Sequence, residues 1–514
     1  MDDKTVFKGV SGQDLNKPEE EGVLPTPPAE GSQPQSQTTF ENEPAQTQAV
    51  PAPILPPQEA EPKVEDQPIS AGENLEESLS GRGPFTPQNI VKLLIGFFAV
   101  LMIVFILFAF VFPNVGGKVN QKVSLSYWGL FEDQQTLAPI ILDFEKENPN
   151  ITVNYIKKDI KDYRQKLTTQ ISQGTGPDVF KFHNTWYPMF SQILLPLPTD
   201  VITKDEFDKA FYPVAKKDLT NNGAIYGIPL EIDTLALFTN TEILKQAGVA
   251  VPKNWNDFIN AARGLTVKDQ DGKIKTAGVG FGTFDNVVHA PDIVSLLFVQ
   301  DGVNLNDLSS SKPKVSDALN FYTAFAIGNG SVWDATLDQS LLAFTKGNLG
   351  MYFGYYRDYL AIKQASPALN FEINPVPQLD FQSQDVASYF AEGVSVKSLH
   401  QKEALLFMKF LSARDTQAKI YQEQAKIKTY GGPPGRKDLA ITLQNAPIYP
   451  FVSQAQNATS SYFAGETFDD GLNTQVSSSL SNAITSILGG SPADSVSDSF
   501  ISSVLQILNQ YSQQ

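Results

Sequence analysis

The segment YWGLFEDQQTLAPIILDFEKENPNITV (residues 127–153), followed by QISQGTGPDVF (residues 170–180), changes its hydrophobic period along its length. Apolar side chains first alternate as in a strand and then recur three or four residues apart, as in a helix. The pattern repeats with a second strand from Ile151, a second helix around Leu167 and a third strand over residues 178–182. This β-α-β-α-β alternation predicts a parallel sheet.

The boundaries of the first helix can be read from its polar residues. Thr136 is a plausible N-cap that would put Pro139 in the first turn, and residues 148–150 (Asn-Pro-Asn) supply the stop. In open α/β sheets, ligands bind at the carboxyl ends of the strands. The loops at residues 127–129 and 183–186, each with a tryptophan, are therefore the first places to expect a ligand.

Residues 1–89 differ from the rest of the chain in composition. They hold fourteen prolines and only three aromatic residues, too little apolar surface to offset the entropy of the chain. Five Lys and Arg stand against sixteen Asp and Glu there, so this segment carries −11 of the total charge of −17. We interpret it as a disordered acidic tail.

A membrane helix is predicted over residues 91–113. The run LLIGFFAVLMIVFILFAFVF (residues 93–112) contains no charge, and twenty residues span roughly the 30 Å hydrocarbon core. The run is longer than the apolar region of a typical signal peptide and lacks an obvious cleavage site. We expect an uncleaved span, joined by a linker (residues 114–120) to a folded domain (residues 119–514). The positive-inside count ties and leaves the orientation open.

Composition also excludes some classes of function. The chain has no cysteine, which rules out disulfides, thiolate metal sites and a lipid-modified cysteine anchor. The folded part carries a net charge of about −6 and has no basic cluster interleaved with aromatics, so nucleic acid is not expected as a partner. The three histidines show no metal-ligand spacing, and no cofactor is expected.

Five blocks in order resemble the family 1 extracellular solute-binding proteins of ABC importers, the maltose-binding-protein type. Besides the opening segment, the blocks are NNGAIYGIPLEIDTLALFTNTEIL with VPKNWNDF (within residues 221–258), LLAFTKGNLGMYFGYYRDY (341–359), FAEGVSVKSLHQKEALLFMKFLSARDTQ (390–417) and YGGPPGRKD (430–438). The end of the chain is typical of a closing helical pair broken at Gly489–Gly490. The resemblance covers residues 119–514.

The resemblance implies a two-lobed α/β periplasmic-binding-protein fold of type II, following a single transmembrane helix and a disordered tail. Lobe one would hold about residues 119–232 and 385–424, and lobe two about residues 233–384 and 425–514. It also implies a single-pass protein of the cell membrane with a cytoplasmic tail and an extracytoplasmic domain. Family members usually carry a cleaved signal or a lipid anchor, so the retained span is a departure.

A sugar site needs flat aromatic surfaces for C–H faces and polar groups for hydroxyls. By family position, the candidates for stacking are Trp128, Trp186, Tyr355 and Tyr356. The candidates for hydroxyl binding are Asp233, Asn184, Arg357 and Glu392. Secondary candidates, which are more often structural or solvated groups, are His183, Asn286, His289 and Arg436.

Three functions remain open. The resemblance implies a monomeric receptor whose lobes close on a carbohydrate, or another small solute, and dock on ABC transporter permease subunits. The retained span also fits a sensor or adaptor that signals through the helix. A cell-surface polysaccharide enzyme would need two carboxylates about 5 to 10 Å apart, and Asp233 with Glu392 is the one cross-lobe pair that we propose. The usual catalytic motifs are absent from the sequence, so an enzyme is not our expectation.

Overall fold

The computed structural model describes residues 95–105, 122–379 and 383–512. Residues 95–105 are helical. The rest of the predicted span, the tail (residues 1–89) and the linker lie outside the described residues. No helix within the described ranges is both long enough and apolar enough to cross a membrane.

The domain that follows is a mixed α/β structure. Its strands are β1 (Val123–Gly129), β2 (Ile151–Lys157), β3 (Val179–His183), β4 (Thr220–Asn221), β5 (Ala224–Ile225), β6 (Ile228–Pro229), β7 (Ala236–Asn240), β8 (Val267–Lys268), β9 (Ile274–Val279), β10 (Leu349–Gly354), β11 (Phe371–Asn374), β12 (Asp385–Val386), β13 (Phe390–Val394) and β14 (Ala458–Thr459).

Helices connect these strands and cover the sheets. They are α1 (Gln134–Glu147), α2 (Tyr163–Ser172), α3 (Tyr187–Phe190), α4 (Lys204–Ala210), α5 (Pro213–Leu219), α6 (Thr241–Ala247), α7 (Trp255–Leu265), α8 (Ala290–Gln300), α9 (Lys312–Ala324), α10 (Ser340–Thr345), α11 (Tyr356–Ala365), α12 (Gln401–Ser412), α13 (Arg414–Lys428), α14 (Tyr449–Ser453), α15 (Leu472–Leu488) and α16 (Ala493–Ser512). Short 3-10 turns lie at Asn184–Trp186, Leu308–Ser311, Lys437–Leu443 and Ala455–Asn457.

Two five-stranded sheets form the two lobes. The first sheet has the order β2-β1-β3-β13-β6, and the second has the order β11-β7-β10-β9-β8. In the first sheet β1 pairs in parallel with both β2 and β3, which confirms the predicted β-α-β-α-β unit. β13 arrives from late in the chain and runs antiparallel to β3 and β6. The first sheet is therefore completed only after the chain has built the second sheet.

The first helix differs from its predicted start. α1 begins at Gln134, with Asp133 rather than Thr136 at the N-cap position. The N–H groups of Thr136 and Leu137 both donate to the carbonyl of Asp133, so the turn closes one residue before Gln134. Pro139 lies inside the helix rather than in its first turn, at the cost of one helical hydrogen bond. The predicted end at residue 148 is confirmed.

Three stretches of chain run side by side where the two sheets meet. The N–H of Ser388 donates to the carbonyl of Asp233 at 3.1 Å, and the N–H of Ile232 donates to the carbonyl of Pro433 at 2.9 Å. Pro434 also bridges to Glu231. Backbone hydrogen bonds therefore hold these stretches together at the junction. Each bond satisfies an N–H and a carbonyl that would otherwise lack a partner away from water.

The end of the chain folds as the predicted helical pair. α15 and α16 pack against each other and against α9 of the second lobe. The apolar stripe of α15 is buried, with Val476, Leu480 and Ile484 at 0% exposure. The predicted break at Gly489–Gly490 is confirmed, since Gly490 has a φ of 95° that L side chains rarely adopt.

Candidate functional site

A cleft of about 690 Å³ lies where the carboxyl ends of β1, β2 and β3 face the second lobe. The first lobe contributes the loops that follow these strands and the side chains of Lys181 and His183 on β3. The second lobe contributes the corner between β10 and α11 and the loop before α15. The main lining segments are residues 130–132, 157–160, 355–358, 388–390 and 465–466.

The floor of the cleft is a buried ion cluster. Lys181 Nζ contacts Glu132 Oε1 and lies 3.3 Å from Glu392 Oε1, which also accepts a 2.9 Å hydrogen bond from the hydroxyl of Tyr127. Burial raises the pKa of Glu392 to about 7, although Lys181 opposes the shift. Burial alone would raise the pKa of Glu132 as well, but Lys181 holds it below its ordinary value. Glu132 Oε2 and Glu392 Oε2 have no hydrogen-bond partner among the described residues.

Asp233 lies at the junction of the lobes. Its Oδ2 accepts a 3.0 Å hydrogen bond from the backbone N–H of Tyr356, the first residue of α11. Its Oδ1 has no hydrogen-bond partner in the part of the chain that the structure describes. Burial raises the pKa of Asp233 well above its ordinary value, and the nearby carboxylates of Asp358 and Glu231 add to the shift. The residue therefore offers the cleft an acceptor that is not yet satisfied.

A histidine holds the β10–α11 corner. His289 Nε2 lies 2.7 Å from Asp358 Oδ2, and its Nδ1 lies 3.7 Å from Asp292 Oδ2. Burial alone would lower the pKa of His289, but Asp358 and Asp292 raise it well above its ordinary value. The N–H of Tyr355 donates to Asp358 Oδ2 at 2.8 Å, and the Tyr355 hydroxyl donates to Asp292 Oδ1 at 2.9 Å. The charged network makes this wall of the cleft rigid.

The aromatic surface of the cleft comes from Phe131 and Phe390. Their rings meet edge to face with centroids 5.0 Å apart. The guanidinium carbon of Arg357, from the second lobe, lies 4.4 Å from the centroid of Phe131 in the first lobe. A cation over an aromatic face is attracted by the ring quadrupole. This contact therefore joins the two lobes across the cleft.

Comparison with known proteins identifies the family. Residues 140–450 match the family of bacterial extracellular solute-binding proteins. The chain belongs to this family. A multiple sugar-binding protein of Streptococcus mutans is 25% identical over 366 residues, which cover 65% of this chain and 80% of that protein. A putative binding protein of Brucella abortus is 25% identical over 293 residues, covering 55% of this chain and 69% of that protein.

Solved structures of solute-binding proteins share the two-lobed α/β fold. The sugar-binding protein MalE of Xanthomonas citri has a TM-score of 0.62 at 18% identity, covering 76% of this chain and 98% of that one. UgpB of Mycobacterium tuberculosis, in complex with glycerophosphocholine, has a TM-score of 0.61 at 19% identity, covering 75% of this chain and 98% of that one. The predicted periplasmic-binding-protein fold is confirmed.

The structure brings half of the predicted residues of this solute-binding protein into the cleft. These are Asp233, Tyr355, Tyr356, Arg357, His183 and His289. Tyr355 and Tyr356 are only 7% and 2% exposed, which leaves little ring surface for the stacking that we predicted. The hydroxyl of Tyr356 donates to the carbonyl of Tyr430 at 2.8 Å, which fixes the ring. Burial lowers the pKa of His183 to about 3, which keeps its ring neutral.

Four of the main candidates do not line the cleft. Trp186 is 0% exposed in the core of the first lobe, and Glu392 is 0% exposed beneath the cleft. Trp128 is 6% exposed, and Lys158 Nζ lies 3.8 Å from the centroid of its ring, so an ammonium already occupies one face of this stacking candidate. The amide of Asn184 donates to Asp218 at 2.9 Å in a smaller pocket. Packing and polar pairing, rather than an open surface, account for these side chains.

Two secondary candidates are also placed outside the cleft. The side-chain amide of Asn286 donates to the carbonyls of Asp334 and Leu337, inside the second lobe. Arg436 pairs with Asp438 and donates to the carbonyl of Ser412, in a surface groove of the first lobe. Both side chains support their own loops.

Sequence reasoning found Glu392 but missed Glu132 and Lys181 in the floor and Phe131 and Phe390 in the aromatic wall. Phe131 and Glu132 follow Trp128 in the same loop, so the loop was found but the residues were not. Lys181 carried a usable signal, because it is a lone charge within the wholly buried strand β3. A charge in such a strand is almost always paired, and a buried carboxylate partner could have been expected. Phe390 and Glu466 carried no comparable signal.

Proposed function

We propose that this protein binds a carbohydrate in the cleft between its lobes and delivers it to an ABC-type importer by lobe closure. The observation that carries the proposal is the pairing of acceptors and aromatics in the cleft. Asp233 Oδ1 and Glu132 Oε2 have no protein donor among the described residues, and Phe131 and Phe390 form an aromatic wall nearby. Sugar hydroxyls donate to carboxylates, and sugar C–H faces pack on rings.

The size of the cleft and the names of the relatives support the same class of ligand. A volume of about 690 Å³ lies within the roughly 300 to 1,000 Å³ of preformed small-molecule sites. The relative from Streptococcus mutans is named as a multiple sugar-binding protein. Closure requires a solute that touches both lobes, since a ligand shifts an equilibrium only by its differential affinity for the two states. Glu132 and Asp233, with Arg357 opposite, would give a sugar such contacts.

We also propose that residues 93–112 anchor the protein, with the tail in the cytoplasm and the binding domain outside. The support is the uncharged run of twenty residues, of which the structure describes residues 95–105. Extraction of cell membranes at alkaline pH tests this, because an integral span stays in the pellet. Recovery of the full chain in the supernatant would contradict the anchor. Protease treatment of intact cells should remove the domain and spare the tail.

The experiment for the ligand is a thermal-shift screen of the full-length chain. The panel holds mono- and oligosaccharides, polyols and glycerophosphodiesters, because a ligand that binds only the native state raises its melting temperature. We expect a saturable shift with one sugar and its recovery unchanged by chromatography after incubation. A shift with a glycerophosphodiester alone, or none in a folded sample, would overturn the carbohydrate assignment. A shortened sugar would instead support an enzyme.

A further inference from the structure

The loop formed by residues 465–470 has an unusual backbone and a place in the cleft. Glu466, Phe468 and Asp470 have φ angles of 52°, 51° and 44°, a left-handed conformation that crowds Cβ against the following carbonyl. Three such residues in five positions persist only where surrounding contacts hold them. Gly465 and Glu466 line the cleft. The contacts that hold this loop therefore determine where Glu466 meets a ligand.

One set of contacts ties the 465–470 loop to the second lobe. The N–H of Gly465 donates to Asp292 Oδ2 on α8 at 2.9 Å. The carboxylate of Asp469 is 0% exposed and accepts from the N–H groups of Asn473 and Thr474, at 2.7 and 3.0 Å, in the first turn of α15. The loop is thus fixed at both ends to helices of the second lobe.

One side chain of the first lobe reaches the same loop. Arg164, near the start of α2, donates from Nε to the carbonyl of Asp469 and from a terminal nitrogen to the carbonyl of Asp470 at 3.4 Å. Within the described ranges, no carboxylate forms an ion pair with Arg164, and Arg164 does not line the cleft. The guanidinium of Arg164 therefore binds the backbone of the 465–470 loop and has no direct contact with the cleft.

We propose that Arg164 is a positioning residue for solute binding, which holds the strained 465–470 loop, and with it Glu466, against the cleft when the lobes are closed. The inference rests on the proposed function, because it assigns a role within the same cleft. When the lobes separate, both hydrogen bonds from Arg164 must break, since donor and acceptors belong to different lobes. Arg164 thus adds to the closed state without contacting the solute.

The first test measures binding of the sugar found by the screen to the full-length wild type and three variants. We expect R164Q to weaken binding about tenfold, mainly through faster dissociation, because hydrogen bonds to a charged donor are lost only from the closed state. R164K should recover part of the lost affinity, since a lysine ammonium can donate to one of the two carbonyls but lacks the planar guanidinium that donates to both. K166Q is the matched control, because Lys166 is 63% exposed on the same helix and, among the residues that the structure describes, pairs only with Asp162.

The second test needs no ligand and separates failure of this inference from failure of the proposed function. The chain has no cysteine, so K146C and K275C, both at exposed sites on opposite lobes, provide two unique positions for spin labels. R164Q should reduce the population at the inter-lobe distance of this structure, and K166Q should not. Identical distance distributions in R164Q and wild type, or equal sugar dissociation rates, would overturn the role of Arg164 even if the wild type binds sugar.

Discussion

The backbone N–H of Tyr356 lies 3.0 Å from Asp233 Oδ2, so a carboxylate at the junction of the lobes caps the first turn of α11. The second oxygen of the same carboxylate, Oδ1, has no partner among the described residues. Asp233 thus has two oxygens in different settings, because one orients the wall of the cleft and the other is a buried acceptor without a protein donor in the described ranges. Its pKa is raised by burial, which means that its charge costs the fold stability.

The first prediction tests these two oxygens with Asp233→Asn. The amide oxygen can still accept from the N–H of Tyr356, but an NH2 donor replaces the second carboxylate oxygen. A sugar hydroxyl then loses its acceptor, and we expect about tenfold weaker sugar binding. The pKa of Asp233 is higher in the folded protein than in the unfolded chain, so ionisation of this carboxyl lowers the free energy of unfolding. The variant cannot ionise, and we expect it to be at least as stable as wild type at pH 7. Calorimetric titration and urea denaturation measure the two quantities.

Asp205→Asn is the control for this prediction. Asp205 is 77% exposed on α4 and pairs with Lys209 far from the lining of the cleft. We expect unchanged affinity and nearly unchanged stability. Wild-type affinity in Asp233→Asn would remove Asp233 from the binding site and leave it only the hinge contact.

The second prediction concerns the pH dependence of folding and Glu392. Its folded pKa of about 7 lies above the unfolded value, so its stabilising contribution is complete at low pH and is lost as pH rises toward 7. The size of this loss is roughly 3 kcal/mol. Glu392→Gln cannot ionise, and we expect its free energy of unfolding to lie closest to wild type near pH 4 and to exceed it at pH 8. Urea denaturation at both pH values provides the measurement.

Glu132→Gln should behave in the opposite way. Lys181 keeps the pKa of Glu132 below its ordinary value, so this carboxylate stabilises the fold above its unfolded pKa and loses that effect as pH falls. The variant leaves Lys181 with one carboxylate, and we expect lower stability at pH 8 and a smaller difference from wild type near pH 4. Equal pH profiles for both variants would contradict the assigned roles within the cluster.

The periodicity of the sequence was enough to predict the first sheet, because strand and helix periods are set by local geometry. The alternation through Tyr127 and the spacing of Leu137 to Phe144 give β1 and α1 directly. The start of α1 was wrong, since the choice between Asp133 and Thr136 depends on which carbonyl closes the first turn. The pairing of β13 with β3 was not predicted, because no local pattern links segments some two hundred residues apart; the resemblance implied only that residues 385–424 belong to the first lobe.

The cleft residues were predicted less well, for a physical reason. A tryptophan at the end of a strand can face the cleft or the core, and residue type does not distinguish the two. Trp186 lies in the core and is 0% exposed, whereas Phe131, which was not among the predicted site residues, forms part of the aromatic wall. Asp233 was predicted for the cleft because it follows the strand that crosses between the lobes, and Arg357 because the resemblance brings its block to the cleft; both line it.

The third prediction tests Phe131 against Trp128. Phe131→Leu keeps an apolar side chain but removes the ring that meets Phe390 and Arg357, and we expect roughly tenfold weaker sugar binding with little change in stability. Trp128→Phe should lower stability by roughly 1 to 3 kcal/mol, because Trp128 is packed beneath Lys158, and should leave affinity unchanged. The reverse pattern in titration and denaturation would restore Trp128 as the stacking residue.

The fourth prediction concerns the backbone at Thr429, which ends α13 beside the cleft. Its φ of 70° and ψ of −46° are unfavourable for a β-branched side chain, and its position at the end of a helix is one where glycine is preferred. Because Thr429 is exposed, Thr429→Gly removes a clash without removing a packed group, and we expect a gain of about 1 kcal/mol in the free energy of unfolding. Thr429→Ala keeps the Cβ and should gain much less. If urea denaturation shows equal stability for both variants, the strain at Thr429 lies in the loop that follows and not in its own side chain.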